Sequence, residues 1–139
     1  MENLIKVEFT IPCNLSSLSI IERKIDKFFE LINYECVAFE DIYFYINLAL
    51  TEAIVNAIQH SREIDKKIKI TMEFNGDEII LRVYNKGGSF SVNSIKKPPP
   101  LAESGRGLFV IKSIMDYIEV KNVNNGNFLI MKKRVNAKN

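Results

Sequence analysis

The chain has 139 residues, of which 47% are hydrophobic and 26% are charged, and this balance is typical of one soluble globular domain. The composition argues against intrinsic disorder and against a small disulfide-stapled scaffold, because a chain of this size buries roughly two-thirds of its unfolded surface. The 19 Lys and Arg residues exceed the 17 Asp and Glu residues by a net charge of +2, which is weak support for a nucleic-acid-binding protein.

Neither a targeting segment nor a metal cluster is predicted. Residues 1–6 do not continue into an apolar run, so they do not resemble a signal peptide. The most apolar stretch, 42–58, contains several polar residues and predicts a buried helix rather than a membrane span. Cys13 and Cys36 belong to no CxxC motif and His60 is the only histidine, so structural zinc is not expected. A disulfide between the two cysteines remains an alternative. We expect a cytoplasmic protein that does not associate with a membrane.

Periodicity predicts a strand and two helices in the first part of the chain. A strand over 6–12 alternates polar and apolar residues and ends at a proline. Residues 14–17 offer caps for a helix whose apolar side chains recur at helical spacing. A second helix over about 39–61 is apolar on most of its circumference, and it is therefore predicted to be buried on nearly every side.

A hairpin and a long loop are predicted next. Strand-like runs over 67–74 and 78–84 are joined by Asn75-Gly76-Asp77, and Asn-Gly is a strong hairpin signal. Residues 85–89 are predicted to form a flexible turn, and a charged, proline-rich stretch continues the loop as far as Gly107. A loop of this length inside a small domain is usually functional or disordered.

A short helix and a second hairpin complete the prediction. Gly105-Arg106-Gly107 opens an apolar helix over about 108–115, and strands over 116–122 and 127–135 form the hairpin. With no repeat and no second domain, residues 1–139 are expected to form a single domain. The predicted fold class is α+β, a two-layer sandwich of an antiparallel sheet with helices on one face.

A polar stripe lies along the second predicted helix. Glu52, Asn56 and His60 are spaced at i, i+4 and i+8, with Gln59 in the same sector, so they share one face of an otherwise apolar rod. A buried carboxylate is costly unless a metal, a base or a ligand pairs with it. A structural hydrogen-bond network is the alternative interpretation. Together with the glycine segments downstream, the stripe predicts a functional site.

The glycine pair before the third helix predicts contact with phosphates. Glycines let backbone amides approach closely, and a helix N-terminus favours negative charge. Arg106, Lys96 and Lys97 could add donors from the loop, although for each lysine taken singly a solvated basic loop is the favoured interpretation.

Three segments together resemble the GHKL ATP-binding superfamily and, within it, the bacterial anti-sigma-factor serine kinases of partner-switching systems. Residues 51–60 (TEAIVNAIQH) look like the N-box, and 85–90 (NKGGSF) lie where the adenine-binding DxGxxF motif would fall. Residues 104–111 (SGRGLFVI), followed by Met115-Asp116, are similar to the second glycine box. In this sequence no dimerisation helix with a phosphoacceptor histidine precedes them, so a sensor histidine kinase is not expected.

The resemblance implies a mixed, mainly antiparallel sheet and the binding of ATP with Mg²⁺. It implies that Glu52 is the base that takes the proton from an attacking serine hydroxyl, and that Asn56 is a magnesium ligand. Gly87 would let the backbone pass beneath the adenine ring. The family pattern includes His60, for which a structural role is favoured.

The resemblance also assigns the phosphate side of the site. Gly105, Arg106, Gly107 and Leu108 would lie along the ATP phosphates, beneath a lid over about 91–104.

Two positions depart from the family pattern. Asn85 stands where the family has the Asp that accepts a hydrogen bond from the adenine amino group, and losing that charge-assisted contact costs on the order of 1 kcal/mol. Gly126-Asn127-Phe128 occupies the place of a Gly-Thr pair that often reaches the phosphates.

The function predicted first is an anti-sigma-factor serine/threonine kinase that binds a sigma factor and phosphorylates an anti-anti-sigma antagonist, as a homodimer. A partner-sequestering module of the same fold, without catalysis, is the alternative that Asn85 favours. Direct nucleic-acid binding through Lys132-Lys133-Arg134 is not expected, because three basic residues at a strand end are more often a solvated edge.

Overall fold

A computed structural model describes residues 4–32, 39–60, 67–86, 106–123 and 126–135. The elements are, in chain order, β1 (Ile5–Pro12), a 3-10 turn (Leu15–Ser17), α1 (Leu18–Ile32), α2 (Phe39–His60), β2 (Lys67–Phe74), β3 (Glu78–Lys86), α3 (Arg106–Ile114), β4 (Tyr117–Val123) and β5 (Gly126–Arg134). These elements confirm the predicted strands and helices, with several boundaries moved by one to three residues.

The five strands form one sheet in the order β1-β2-β3-β5-β4. All four pairings are antiparallel, so the described residues contain no parallel pair of the kind that a mixed sheet implies. The predicted α+β class is confirmed. Because β5 lies between β3 and β4, Lys132, Lys133 and Arg134 belong to an interior strand, and the prediction that they form a sheet edge was wrong.

The core lies between the helices and one face of the sheet. Along β2, Ile68, Ile70 and Met72 are fully buried, whereas Lys67 and Lys69 are exposed, as expected for a strand with one covered face. The buried side chains of α1 recur at helical spacing; they are Ile21, Ile25, Phe28, Phe29 and Ile32. Burying each such side chain contributes about 2 kcal/mol, so packing against the sheet is the main source of helix stability.

Two local signals explain where elements begin and turn. The Asn14 side chain accepts a hydrogen bond from the Ser16 amide at 3.0 Å and so caps the turn that leads into α1. In the β2–β3 turn, the Asn75 side chain accepts from the amides of Asp77 at 3.0 Å and Glu78 at 2.8 Å. Gly76 has a φ of 99°, a conformation that few other residues adopt. The predicted hairpin is therefore confirmed together with its cause.

Three predicted boundaries near the candidate site differ from the structure. Strand β3 continues through Asn85 and Lys86, which were predicted as a turn, because they pair with Asn127 and Gly126 of β5. Helix α3 begins at Arg106 rather than at about residue 108. Strand β5 begins at Gly126 rather than at residue 127.

Helix α2 is not buried on every side, contrary to the prediction. Phe44 is 59% exposed, and Leu48 and Val55 are only half-buried, so an apolar stripe of the helix faces outward. The remaining sides pack against the sheet and against α1 and α3. Apolar character on a long helix therefore does not by itself establish burial all round.

Candidate functional site

The polar stripe on α2 places Glu52 and Asn56 one helical turn apart. Asn56 is buried, with 7% of its surface exposed, and Glu52 is half-buried. Gln59, predicted in the same sector, is exposed, and the side chain of His60 lies outside the described residues. The stripe thus changes from buried to solvated within the last turn of the helix, and Glu52 and Asn56 are its enclosed part.

The first turn of α3 lies directly against Glu52. A Cβ added to Gly107 would be 3.0 Å from Glu52 Oε1 and 3.6 Å from the Glu52 carbonyl oxygen. Glycine is therefore the residue that lets the two helices approach without displacing the carboxylate. The positive end of the α3 dipole meets this carboxylate, which favours negative charge at that point.

Asn85 lies at the end of β3, on the face of the sheet that the helices cover. It follows Leu81 and Val83 in strand alternation, and both of these side chains are fully or almost fully buried. Asn85 is itself 5% exposed and is in register with Asn127 of β5. The strand geometry therefore holds a carboxamide at the covered end of the central strand.

Gly126 supports this strand end from β5. A Cβ at Gly126 would lie 2.9 Å from the Asn85 carbonyl oxygen and 2.5 Å from the Tyr84 hydroxyl, which are closer than real Cβ contacts. Tyr84 also packs on Phe128, with ring centroids 4.8 Å apart. In the sequence, Gly126 stands out only as part of a departure from a family motif, and no local signal indicates its close approach to Tyr84.

The other predicted site residues are described only in part. Leu108 is buried in the core, so it is the backbone of this residue that remains for contact with a ligand. The backbone of Arg106 begins α3, whereas its side chain lies outside the described residues. Gly87, Gly105 and the predicted lid over 91–104 also lie outside them.

The opposite end of α3 is closed by Lys133, which was predicted to belong to a solvated edge. Lys133 Nζ donates a hydrogen bond to the carbonyl oxygen of Ile114 at 2.7 Å and lies 3.8 Å from Asp116 Oδ1. It also lies 4.7 Å from the centre of the Tyr45 ring on α2. A cation at a helix C-terminus is favourable, but no sequence signal links a β5 lysine to the end of α3.

The groups that the structure brings together suit a nucleotide with a magnesium ion. Asn56 and Asn85 are buried carboxamides, and a carboxamide oxygen is a hard ligand or a hydrogen-bond acceptor. Gly107 lies in the first turn of α3, and a helix N-terminus favours phosphates. Among the described residues, no group of three or more His, Cys, Asp and Glu side chains could hold a metal ion.

Two further observations concern the remaining predictions. Cys13 is a free thiol, and Cys36 lies outside the described residues. Within the part of the chain that the structure describes, no helix combines the length and the apolar character that a membrane crossing requires.

Comparison with known proteins assigns the family. Residues 23–133 match the family of histidine kinase-like ATPase domains, and the chain belongs to this family. It is 35% identical over 101 residues to an anti-sigma F factor of Clostridium perfringens, covering 66% of this chain and 72% of that protein. It is 30% identical over 131 residues to the serine-protein kinase RsbW of Bacillus cereus, covering 86% and 79% respectively.

Solved structures show the same fold. The RsbU and RsbW domains of Rv1364c from Mycobacterium tuberculosis align with a TM-score of 0.66 and 12% identity, over 94% of this chain and 32% of that one. The catalytic domain of histidine kinase ThkA aligns with a TM-score of 0.59 and 21% identity, over 95% of this chain and 99% of that one. The resemblance to the GHKL fold inferred from the three sequence segments is thereby confirmed.

Proposed function

We propose that this protein is an anti-sigma-factor serine/threonine kinase that uses ATP, binds a sigma factor and phosphorylates an anti-anti-sigma antagonist. The names of its relatives, an anti-sigma F factor and a serine-protein kinase, support the role. The observation that carries the proposal is the close approach of Glu52 to helix α3. Glu52 Oε1 lies 3.0 Å from where a Cβ on Gly107 would be. This contact puts a carboxylate beside the helix end that favours phosphates.

In this proposal Glu52 accepts the proton of the attacking serine hydroxyl. Glu52 lies on a long helix and against the first turn of α3. The placement of the reacting groups is a large part of catalysis of phosphoryl transfer. Because Glu52 is half-buried, it can also be reached from outside by a protein substrate.

Asn56 and Asn85 would hold the nucleotide in the proposed site. Asn56, one turn beyond Glu52, would hold the magnesium ion through its carboxamide oxygen. The ion, when bound, neutralises charge on the phosphates. Asn85 would accept a hydrogen bond from the adenine amino group.

Backbone groups would complete the site. The amides of Arg106, Gly107 and Leu108 would approach the phosphates, with Gly105, Gly87 and a lid over 91–104 completing the pocket. The whole chain would act as one such domain, and a homodimer is the assembly that the family resemblance implies.

Titration with nucleotide tests the proposal. ATP and ADP are added to the purified protein with and without magnesium, and binding is followed by calorimetry. We expect magnesium-dependent binding that Asn56→Ala weakens at least about tenfold, a loss of about 1.4 kcal/mol. Asn47→Ala is the matched control, because Asn47 is a half-buried asparagine on another side of the same helix. Binding that is equally strong in Asn56→Ala would contradict the assigned role.

A partner-sequestering module without catalysis is the second candidate function. The observation that favours it is Asn85, a neutral amide at the place where the family has a carboxylate. If no nucleotide binds at millimolar concentration while a sigma factor still binds, this second function replaces the first.

A further inference from the structure

A groove lies on the outward side of α2, next to the proposed catalytic residue. Its volume is about 290 Å³, and it is lined by Tyr43, Phe44, Asn47, Leu48 and Thr51. The lining is mainly apolar, and Phe44 is 59% exposed, the most exposed aromatic side chain among those described. The N-box match begins at Thr51, at the far end of this groove, and it does not account for the other four residues.

The wall of the groove is held in a fixed arrangement. The Tyr43 hydroxyl donates a hydrogen bond to Asp26 on α1, and the Asn47 side chain bonds the same phenol oxygen. The Tyr43 ring packs edge-on against the buried Phe29 at 5.1 Å between centroids. Such contacts fix the ring in one orientation, so the groove does not need to be formed by its occupant.

Carboxylates lie near the Tyr43 end of the groove. The charges that act on the Tyr43 phenol are those of Asp26 and Glu22, and the hydrogen bond to Asp26, with burial and the nearby negative charge, raises the pKa of this phenol. Glu40 and Asp41 are exposed in the first turn of α2, one turn before the groove. An apolar groove with this rim is complementary to an apolar side chain that is flanked by lysine or arginine.

The far end of the groove is lined by Thr51, and Glu52 is the next residue along helix α2. From Phe44 to Glu52 the helix advances by about 12 Å, at about 1.5 Å per residue. An extended polypeptide covers this distance with about four residues. A segment anchored at Phe44 therefore reaches the carboxylate with a side chain a few residues away.

We propose that this groove docks the protein substrate of the kinase. The occupant is a segment of the phosphorylated protein that places an apolar side chain between Phe44 and Leu48 and a lysine or arginine against the carboxylate rim. Its acceptor serine follows about four extended residues from the anchor. This inference rests on the proposed function, because it names the surface that brings the substrate to Glu52.

Phosphorylation kinetics test the groove. A purified anti-anti-sigma protein of the same organism is the substrate, and its KM and kcat are measured at saturating ATP. We expect Phe44→Ser to raise the KM for this protein at least about tenfold and to leave kcat and ATP affinity within about twofold. Leu31→Ser is the matched control, because Leu31 is 49% exposed on the far side of α1. An unchanged KM in Phe44→Ser, or an equal rise in Leu31→Ser, would overturn the proposal.

Charge reversal tests the rim separately. Glu22→Lys is expected to raise the same KM about fivefold and to make it less sensitive to salt, because a lysine of the substrate then meets a like charge. Asp77→Lys, on the exposed β2–β3 turn, makes the same change in net charge and is expected to have no effect. If the two reversals act alike, the rim does not recognise the substrate.

A direct binding measurement separates failure of the groove from failure of the proposed function. Fluorescence anisotropy follows a labelled 12-residue peptide with a central Leu-Leu and four flanking lysines, and a matched peptide with four glutamates. We expect only the lysine peptide to bind, and Phe44→Ser to weaken this binding about tenfold, with or without ATP. If this result holds while the wild-type protein transfers no phosphate, the proposed kinase function is wrong and the groove is still a docking site. If phosphate is transferred but the two peptides bind alike, the proposal that the groove docks the substrate is wrong.

Discussion

The two ends of helix α3 are built differently. At its C-terminal end, Lys133 Nζ donates to the Ile114 carbonyl oxygen at 2.7 Å, and the Asp116 amide donates to the Lys132 carbonyl oxygen at 2.9 Å. At its N-terminal end, Gly107 lets the Glu52 carboxylate lie close to the first turn, with Oε1 3.0 Å from where a Cβ would be. A helix end closed by protein groups stabilises the fold. A helix end that carries glycine, with no side chain of its own over the backbone amides, is suited to a ligand. Substitutions at the two ends should therefore affect different properties.

The largest effect is expected at the N-terminal end, from Glu52→Gln. This change keeps the size of the side chain but removes the group that accepts the serine proton, so transfer of phosphate to the antagonist protein should fall at least about 100-fold. ATP affinity should change by less than about threefold. The measurement is transfer of labelled phosphate in a single turnover, with nucleotide binding measured on the same preparation.

Glu8→Gln serves as the control for Glu52→Gln, because Glu8 is an exposed glutamate on the edge strand β1, outside the groove and its rim. It should leave transfer of phosphate unchanged. If Glu52→Gln also transfers phosphate at the normal rate, Glu52 is not the base, and the difference between the two ends of α3 loses its functional meaning.

An effect on stability alone is expected at the C-terminal end, from Lys133→Met. Methionine retains the apolar stem but removes the hydrogen bond to Ile114, and losing a hydrogen bond to a charged group costs about 2 kcal/mol. The free energy of unfolding in urea should fall by this amount, whereas ATP affinity should not change.

Lys132→Met is the control for Lys133→Met. The Lys132 ammonium group lies 4.9 Å from the centre of the Tyr117 ring, a contact worth less than about 1 kcal/mol at an exposed site. Equal losses of stability in the two variants would show that Lys133 has no special role at the end of α3.

The sequence predicted the elements well because their signals are local. The spacing of Ile21, Ile25 and Phe29 is a property of neighbouring residues, and so is the Asn75-Gly76 turn. The same is true of the polar stripe, since Glu52 and Asn56 are one turn apart on any helix. These features could be predicted without knowing which elements pack together.

Features that depend on tertiary packing could not be predicted in this way. Lys133 contacts Ile114 only because β5 pairs with β4 next to the end of α3. Local periodicity predicts strands but does not predict their order in the sheet. The apolar stripe that includes Phe44 and Leu48 has the same sequence pattern whether it faces the core or the solvent, so its exposure could not be predicted. The helix start at Arg106 and the strand end at Lys86 likewise depend on partners elsewhere in the chain.

The smallest effect expected, and the sharpest test of the comparison, comes from Gly107→Ala. Alanine is preferred to glycine inside a helix by about 1 kcal/mol, so the stability of α3 should be maintained or raised. The new Cβ would meet Glu52 Oε1 at 3.0 Å, and the carboxylate is the far end of a flexible side chain that can turn away. Moving it to another rotamer costs about 1 kcal/mol, so phosphate transfer should fall between about threefold and tenfold.

Gly126→Ala is the contrasting control for Gly107→Ala. Its Cβ would meet the backbone carbonyl of Asn85 at 2.9 Å and the Tyr84 ring, neither of which can move easily, so this variant should lose about 1–3 kcal/mol of stability. A Gly107→Ala protein that loses stability like Gly126→Ala would mean that glycine at the start of α3 serves packing. A protein that stays stable but transfers phosphate slowly would mean that this glycine keeps the Glu52 carboxylate in place, as the proposed site requires.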